Sequence, residues 1–524
     1  MWPSMLLMTC CYFLTPFKFG QSEKLFYSRD RSDVGKPVVW DSSGSGDGEP
    51  LEDFGMIQEA LKKFQKLNNL PARGILDDAT INAMNKPRCG VPDNQIPKSN
   101  PAEKTQEETS FKKEQQELQR GGGRIFSKKL VKWRMIGEGY SSQLSINEQR
   151  YVFRLAFRMW SEVMPLDFEE DNTSPLSAVD IKLGFGRGQH LGCTRTFDGS
   201  GQEFAHAWFL GDIHFDDDEH FTAPSTDSGI SLLKVTVHEI GHVLGLSHIH
   251  RPGSIMQPNY IPQETGFELD WSDRKAIQIL YGLCEGSFDT VFDWVHKERN
   301  QYGEMVVRYN SYFFRNSWYW MYENRINRTR YGDPIPIATG WPGIPTQDID
   351  AFVHVWTWTR DATYFFRGTQ FWRYDRDKDQ AYAQDAQGQM YPRRISEGFP
   401  GIPSPIDTVF FDRTTQHIYF FRGGQVFAFD INRNQVVPNF PKRLIDFFPA
   451  TVPRNHPRGN INAAYYSYMH STLFLFKGRE YWRVVNDRDR RKNPSLPYNG
   501  LYPKRAIAEQ WFDICNVHTS LLKM

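Results

Sequence analysis

The sequence predicts a multidomain protein that combines a small helical domain, an α/β domain and an all-β domain of the propeller type. Its 524 residues exceed what one hydrophobic core supports, so about two to four domains are expected. The second half repeats itself at a period of about fifty-five residues, which is the size of one propeller blade. The part before it mixes helical and strand patterns, as an α/β domain does.

The first twenty residues carry an apolar stretch and then turn polar, which predicts a secretory signal peptide over residues 1–20. A short buried segment is the alternative. No later stretch reaches the roughly 18 to 20 apolar residues of a membrane span, so we expect a secreted, extracellular product with no membrane span. Lys and Arg together number 62, as do Asp and Glu, and this zero net charge gives no reason to expect a nucleic-acid partner.

Apolar residues recur at three- and four-residue spacing over residues 51–84, which predicts a small helical domain at about residues 51–86. Residues 94–125 are polar and rich in charge, and they predict an exposed linker. Exposed linkers are preferred sites of proteolytic cleavage. Residues 21–125 therefore form an N-terminal region that a protease could separate from the rest of the chain.

Residues 126–282 form the predicted α/β domain. Residues 149–164 carry a helical apolar stripe, residues 179–183 alternate as a strand does, and residues 231–246 are again helical. Only two residues separate Tyr281 from Cys284, where the repeats begin. Such a short connection should hold the propeller close to the α/β domain.

The repeats occupy residues 284–515, and residues 516–524 follow as a tail. Each repeat contains an aromatic strand and turn, and the four copies begin at Tyr312, Tyr364, Tyr419 and Leu473. Four copies predict a four-bladed propeller, whose ring must be closed. A disulfide between Cys284 and Cys515 would join the first blade to the last; two free thiols are the alternative.

The strongest functional signal is the run from His238 to His248. On a helix, His238 and His242 lie one turn apart on the same face, and Gly245 lets the chain turn so that His248 reaches the same point. Three neutral imidazoles suit zinc and leave one coordination position open for water. Glu239, beside the first histidine, is placed to take a proton from that water. A buried histidine cluster or a closed zinc site is the alternative.

Two further motifs accompany these histidines. Met256 lies in a turn eight residues after His248, and residues 87–93 read Pro-Arg-Cys-Gly-Val-Pro-Asp around Cys89. With these motifs the chain resembles the matrix metalloproteinases, zinc peptidases of the metzincin class, over nearly its whole length. Met256 then matches the Met-turn of that class.

The resemblance implies the roles of the domains. Residues 21–125 look like the family's pro-region, in which residues 87–93 are the cysteine switch and Cys89 occupies the fourth zinc position until the region is removed. Residues 126–282 look like the metzincin catalytic domain, with a twisted sheet over the zinc-binding helix, and the repeats look like the haemopexin-like propeller. An activating protease would cut in the linker. A buried or disulfide-bonded Cys89 is the alternative.

The resemblance also implies a second, structural zinc. His206 and His214 match two histidines of that site, whereas the family's remaining two ligands do not align here. We hypothesise that His190 and Cys193 complete the site, because a thiolate is a better zinc ligand than a carboxylate. A free thiol beside a weakened or absent site is the alternative.

Calcium is the third expected ion. Asp198, Asp216 and Glu219 offer the hard oxygen ligands that calcium prefers, and Asp180 would serve a second calcium. A solvated acidic loop is the alternative. Two sequons, at Asn172 and Asn327, are candidate glycosylation sites.

These observations predict a secreted zinc-dependent metalloendopeptidase, made as a latent zymogen, that hydrolyses peptide bonds of extracellular or matrix proteins with metal-activated water. Its partners are protein or peptide substrates, an activating protease and an extracellular protein bound by the propeller. The resemblance places residues 258–260 at the wall of the pocket for the substrate residue after the scissile bond. The competing hypothesis is an extracellular binding protein that acts through the propeller and has a vestigial or permanently latent zinc site.

Overall fold

The computed structural model describes residues 51–91, 125–137, 139–224, 229–261, 267–357 and 360–522. The predicted signal peptide and nearly all of the predicted linker lie outside these residues. The chain forms two compact units, residues 1–80 and 81–524. Within the described part, no helix is both long enough and apolar enough to cross a membrane.

The first unit contains helix α1 (Leu51–Leu67) and the start of helix α2 (Asp78–Met84). Gln65 is fully buried, and its amide group donates to the Ile75 carbonyl (2.7 Å) and to the Thr80 hydroxyl (2.9 Å). Its amide oxygen accepts a bond from the Gly74 N–H (2.8 Å). This buried glutamine ties the loop after α1 to the first turn of α2, because a buried amide must satisfy all its polar atoms.

The second unit begins with an α/β domain built on a five-stranded sheet, in which β4 is antiparallel to β5 and the other pairs are parallel. The strand order is β2-β1-β3-β5-β4. The strands are β1 (Leu130–Met135), β2 (Asp167–Glu170), β3 (Ile181–Gly186), β4 (Ala205–Ala207), β5 (Ile213–Asp216), and the outlying pair β6 (Phe221–Thr222) and β7 (Ile230–Ser231). The helices are α3 (Ile146–Ser161), α4 (Leu232–Val243) and α5 (Trp271–Tyr281), with a 3₁₀ turn at Leu176–Ala178.

Helices α3 and α4 pack together beside the sheet. Ser145 caps α3 in a reciprocal pair with Glu148, which defines where the helix starts. The apolar stripe predicted over residues 149–164 is buried, and Trp160 at its end is 0 % exposed. The Trp160 indole donates to the Val237 carbonyl of α4 (2.8 Å). This contact fixes the helix that carries the candidate metal ligands against the core.

The repeats form four antiparallel blades, as predicted. The first contains β8 (Thr290–Arg299), β9 (Met305–Arg315), β10 (Trp318–Glu323), β11 (Arg328–Thr329), β12 (Ile335–Pro336) and α6 (Ile337–Gly340). The second contains β13 (Ala351–Trp356), β14 (Asp361–Arg367), β15 (Gln370–Asp375), β16 (Gln380–Ala381), β17 (Arg393–Arg394) and α7 (Ile395–Gly398). The third contains β18 (Thr408–Asp412), β19 (His417–Arg422), β20 (Gln425–Asp430), β21 (Gln435–Val436), β22 (Lys442–Arg443) and α8 (Leu444–Phe447). The fourth contains β23 (Ala463–Ser467), β24 (Thr472–Lys477), β25 (Glu480–Arg483), α9 (Asp487–Lys492), β26 (Arg505–Ala506) and a 3₁₀ turn at Ile507–Glu509.

One polar residue precedes the first strand of every blade and organises that blade's hairpin. The side-chain oxygens accept the backbone N–H of the turn between the second and third strands, at 2.5–2.7 Å. The four residues are Asp289, Asp350, Asp407 and Asn462. The innermost strands of the four blades contact one another in a ring, and the Cys284–Cys515 disulfide closes that ring, as the repeats had led us to expect. The multidomain fold class predicted from the sequence is thereby confirmed.

The propeller contacts the α/β domain through helix α5 and the loop before it. Asp513 is buried and accepts hydrogen bonds from Arg274 and Gln278 of α5. On the loop, Glu268 pairs with Arg328 of the first blade (2.6 Å). The short connection at residues 282–284 is therefore accompanied by direct polar contacts between the two domains.

The tail after the disulfide returns to the α/β domain. Helix α10 (Thr519–Leu522) packs on α3 and β2, and Leu521 is fully buried in the core of the α/β domain together with Val517. The Ser520 hydroxyl donates to the Phe168 carbonyl of β2 (3.5 Å). The last residues of the chain thus complete a core that lies more than two hundred residues earlier in the sequence.

Leu521→Ala should lower the free energy of unfolding of the full chain by about 2–5 kcal/mol, because it removes buried methyl groups and leaves a cavity. Urea unfolding followed by tryptophan fluorescence measures the change. Leu176→Ala is the matched control, since Leu176 is 47 % exposed and its truncation should cost less than about 0.5 kcal/mol. Equal effects of the two substitutions would contradict a core role for the tail.

The contact between α3 and the propeller should make stability depend on pH. Glu162 is buried there, pairs with Arg158 (2.9 Å) and accepts the Gly332 N–H (3.1 Å). Burial raises the pKa of Glu162 to about 7, against the lowering effect of Arg158 and with a further increase from Asp333. Because this pKa lies above its ordinary value, the protonated group stabilises the folded chain below pH 4.5, and this contribution is lost as the pH rises through 7.

The free energy of unfolding of the wild-type chain should change between pH 5 and pH 8. We expect Glu162→Gln to reduce this change by roughly 2 kcal/mol. Urea unfolding at several pH values measures this slope. Glu169→Gln, on β2 of the same domain, is the control and should keep the wild-type slope. An unchanged slope in Glu162→Gln would show that Glu162 does not titrate in this range.

Candidate metal centre and active site

Helix α4 carries His238, Glu239 and His242 and is buried along most of its length. Gly241 on this helix lies against Met256, since a Cβ atom there would approach the Met256 sulfur to 2.3 Å. Met256, of the predicted Met-turn, thus packs against the helix beside His242. After α4, Gly245 adopts a φ of +100°, a conformation that favours glycine and lets the chain bring His248 back towards the helix.

The three imidazoles present their Nε2 atoms to one another. The Nδ1 atom of His238 lies 2.6 Å from the Ile255 carbonyl, and that of His242 lies 2.8 Å from the Leu246 carbonyl. A carbonyl accepts only, so these Nδ1 atoms carry the protons and the Nε2 atoms carry lone pairs. The Nε2 atom of His242 is 3.1 Å from those of His238 and His248. Lone pairs at such distances repel unless a cation lies between them.

Cys89 supplies a fourth ligand atom. Its sulfur and one nitrogen from each of the three histidines all lie within 4.8 Å of one another. Three imidazole nitrogens and one sulfur are donors that suit zinc. Burial lowers the pKa of His238 to about 3, so its ring is neutral and available as a ligand. The residues present therefore fit a zinc ion.

Backbone hydrogen bonds on both sides hold the segment that contains Cys89. The Cys89 N–H donates to the Pro258 carbonyl (3.0 Å), and the Gly90 N–H donates to the Ala205 carbonyl (3.1 Å). Gly90 leaves no room for a side chain, because a Cβ atom there would lie 2.1 Å from a carboxylate oxygen of Glu203. The segment is thus clamped as an added strand across the cleft.

The Arg88 guanidinium donates to the carbonyls of Cys89 (3.1 Å) and Val91 (3.4 Å) and so shapes this loop. Its effect on the thiol is smaller than that of the surroundings. Burial and the Glu239 carboxylate raise the pKa of Cys89 well above its ordinary value, although Arg88 acts in the opposite direction. Arg88 therefore acts mainly by fixing the loop.

Glu239 lies beside the ligand cluster and is 1 % exposed. It accepts a hydrogen bond from the Cys89 thiol, while its Oε2 atom has no hydrogen-bond partner in the described part of the chain. Burial raises the pKa of Glu239 to about 8. A carboxyl group in such an apolar place is a ready proton acceptor for a neighbouring water.

The second predicted cluster also comes together. The Nε2 atom of His190 is 3.1 Å from the Nδ1 atom of His214, and the Cys193 sulfur is 3.6 Å from the Nε2 atom of His206. These four ligand atoms lie within 4.8 Å of one another. The other ring nitrogens are occupied, that of His190 by the Gly188 carbonyl (2.8 Å) and that of His206 by Glu203. Hence this set, too, fits zinc.

The predicted calcium ligands divide into two groups. Asp216 and Glu219 have raised pKa values, chiefly through burial, and Asp198 contributes to both increases. The Oδ2 atom of Asp216 is buried and has no hydrogen-bond partner among the residues the structure describes. Asp180 lies apart from them, because it accepts the Lys132 N–H (2.8 Å) and pairs with Lys128 (2.6 Å). The structure thus brings together three of the four carboxylates.

The two sequons differ in accessibility. Asn172 and Thr173 are exposed. Asn327 is also exposed, but the hydroxyl of Thr329 in its sequon is bonded to the Phe512 carbonyl (3.0 Å) and the residue is buried. The folded chain therefore presents the first sequon more openly than the second.

A cavity of about 500 Å³ opens beside Glu239. The chain from Pro258 to Ile261 lines this cavity and includes residues 258–260, for which the resemblance implied a wall, and Phe267 and Lys234 line it as well. No sequence motif indicated Lys234 or Glu203, and Glu203 contacts both the Cys89 segment and the second cluster. For Glu203, the sequence offered one signal, the glycine at position 90, because a glycine often marks a place where another residue lies close to the backbone.

Comparison with known proteins agrees with this geometry. A family profile described as Matrixin matches residues 125–282, and one described as Hemopexin matches residues 307–346, 355–404 and 406–451. Over nearly the whole of both chains, the protein is 64 % identical to Matrix metalloproteinase-21 of Xenopus laevis (99 % of each chain covered) and 58 % identical to that of Homo sapiens (100 % of this chain, 99 % of the relative). Stromelysin-1 of Equus caballus is 30 % identical over 76 % of this chain and 79 % of its own.

The fold and the site are those of a metalloendopeptidase with a propeller domain. The chain belongs to the matrix metalloproteinase family, which is zinc-dependent. Within that family, several similar relatives carry the name matrix metalloproteinase-21, including one from Mus musculus that is 58 % identical.

Proposed function

We propose that this chain is a secreted zymogen whose peptidase site consists of His238, His242 and His248 as zinc ligands and Glu239 as general base. The observation that carries the proposal is the convergence of three Nε2 atoms and the Cys89 sulfur next to a buried carboxyl group. The disulfide between Cys284 and Cys515 supports export, because such bonds persist in oxidising compartments.

Zinc at this site would polarise the peptide carbonyl and acidify a water molecule. The protein's own groups do the rest. The Leu246 and Ile255 carbonyls orient the imidazoles through their Nδ1–H groups. Glu239 takes the proton of the attacking water and delivers it to the leaving amine. Met256 and Trp160 keep water away from the back of the site.

Latency follows from Cys89. Its backbone bonds to Pro258 and Ala205 support a segment that occupies the path of a peptide substrate, and its sulfur, which lies among the three imidazoles, would exclude the attacking water. We therefore assign Cys89 as the group that keeps the zymogen silent until the linker, predicted at residues 94–125, is cut and the segment leaves. The competing hypothesis of a binding protein with a vestigial site gains no support from this complete set of residues.

The test is cleavage of a quenched broad-spectrum metalloproteinase peptide by the full chain, before and after treatment with a thiol-modifying mercurial. Activity that appears only after treatment and disappears with phenanthroline supports a latent zinc peptidase. If the protein showed no peptidase activity although zinc was bound and Cys89 was modified, the proposal would be overturned and the binding role favoured.

We further propose that His190, Cys193, His206 and His214 hold a structural zinc and that Asp198, Asp216 and Glu219 contribute to a calcium site. The first rests on four converging ligand atoms. The second rests on the buried Asp216 Oδ2 atom, which has no hydrogen-bond partner among the described residues, and on the pKa values of Asp216 and Glu219, which burial raises most and Asp198 raises further. A second calcium at Asp180 gains no support, because Lys128 already neutralises its carboxylate.

Cys193→Ala should reduce the tightly held zinc from two ions to one per chain, because the remaining three histidines lack the thiolate that soft-ligand sites use. Metal analysis after dialysis against a weak chelator measures the ratio. Thr173→Ser, at an exposed position, is the control and should retain both zinc ions. If Cys193→Ala retained two zinc ions per chain, the Cys193 thiolate would not be a ligand of the structural zinc.

A further inference from the structure

The cavity beside Glu239 contains a cation that the proposed mechanism does not use. Lys234 lies one turn before His238 on helix α4, so both side chains leave the helix on the same face. Both line the cavity, together with Glu239. An ammonium group therefore faces the place where a substrate side chain enters.

The contacts of Lys234 do not neutralise it. Its Nζ atom donates to the Ile261 carbonyl (2.6 Å) and lies 5.4 Å from the centre of the Tyr260 ring. No carboxylate of the described residues pairs with it. Glu268 lines the same cavity, but its carboxylate pairs with Arg328 of the propeller (2.6 Å). A carbonyl dipole and an aromatic face orient the ammonium group without supplying a negative charge.

Such a half-buried cation, which no carboxylate of the described residues pairs with, is costly, and an anion that reaches it gains more than it would at an exposed lysine. The direction of the pKa shift agrees, because burial lowers the pKa of Lys234. Under the proposed peptidase function, in which residues 258–260 line the pocket for the substrate residue after the scissile bond, that residue would lie in this cavity beside Glu239. The side chain of that residue would point towards Lys234.

We propose that Lys234 makes this pocket prefer an acidic side chain, so that the peptidase favours substrates with Glu directly after the scissile bond. This inference rests on the proposed peptidase function. Glu carries the negative charge that an ammonium group attracts, and Gln offers nearly the same shape without the charge. The comparison between these two residues therefore isolates the electrostatic contribution.

The experiment uses the full chain after mercurial treatment and three quenched peptides that differ only in the residue after the scissile bond, which is Glu, Gln or Leu. We expect kcat/KM for the Glu peptide to exceed that for the Gln peptide by about fivefold to thirtyfold at low salt, and the ratio to fall as NaCl screens the pair. Lys234→Met should bring the ratio close to one. Lys234→Gln is a second neutral variant that keeps a polar contact with the Ile261 carbonyl.

Lys275→Met is the matched control, because Lys275 is also a partly buried helical lysine, 4.1 Å from the centre of the Phe512 ring, and lies on α5 outside the cavity. It should keep the wild-type ratio. Two outcomes would overturn this inference and leave the peptidase function standing. In the first, the Leu peptide is cleaved but the Glu and Gln peptides have equal kcat/KM. In the second, the preference for the Glu peptide persists in both Lys234 variants. Failure to cleave any of the three peptides would overturn the peptidase function and this inference with it.

Discussion

Glu239→Gln should reduce kcat/KM of the activated chain by about 10²- to 10⁴-fold, while zinc remains bound. Glutamine has nearly the same shape, but its amide cannot take a proton from water or return one to the leaving amine. The position is buried and its Oε2 atom has no hydrogen-bond partner among the described residues, so no neighbouring group replaces the lost base. The measurement is hydrolysis of a quenched peptide after mercurial treatment, with metal analysis of the same sample.

The interpretation depends on an intact fold and an intact metal site. Equal zinc content and an unchanged urea midpoint for wild type and Glu239→Gln would assign the loss to the proton transfer. Glu169→Gln, on β2 of the same domain, should retain full activity. If Glu239→Gln kept more than about a tenth of the wild-type rate, Glu239 would not be the general base.

Cys89→Ser should make the uncut chain active. A hydroxyl group is a much weaker zinc ligand than a thiolate, so the fourth position becomes available to water. The backbone bonds of Cys89 and Gly90 to Pro258 and Ala205 remain, and they still hold part of the segment in the cleft. We therefore expect peptidase activity at least about tenfold above that of the uncut wild-type chain, but below that of the fully processed enzyme.

The same variant should lose its response to the mercurial, because the thiol that reacts is absent. Cys193→Ser is the control, since Cys193 is the other free cysteine of the described residues and lies in the second cluster. Cys193→Ser should show no peptidase activity until it is treated with the mercurial. Silence of uncut Cys89→Ser, together with full activity after the linker is cut, would show that the backbone clamp alone maintains latency.

The His238–His248 motif could be predicted from the sequence because its geometry is local. A helical period places two histidines on one face, and a glycine after the helix determines the return of the third. The structure brings these residues together, with Glu239 next to them. The four blades were predictable for a related reason, since each repeat is one hairpin-based unit that must pack against copies of itself.

Predictions that depended on distant loops were less complete. His190 and Cys193 do meet His206 and His214, as hypothesised. Asp180, which was assigned to a second calcium, pairs with Lys128 just before strand β1 and accepts the Lys132 N–H of that strand. Nothing in the local pattern indicated this, since ion pairs between segments depend on how the sheet aligns its strands.

By itself, the sequence determined the class of chemistry, the helix that carries it and the repeated architecture of the second half, because each depends on spacing within a short segment. The tertiary structure decided which side chains from remote segments complete those sites. Leu521 fills a core formed mainly by residues 131–277, Glu203 leaves room only for glycine at position 90, and Lys234 faces the cavity. These contacts arise from packing between segments far apart in the chain, and packing follows from the full three-dimensional arrangement of the domains.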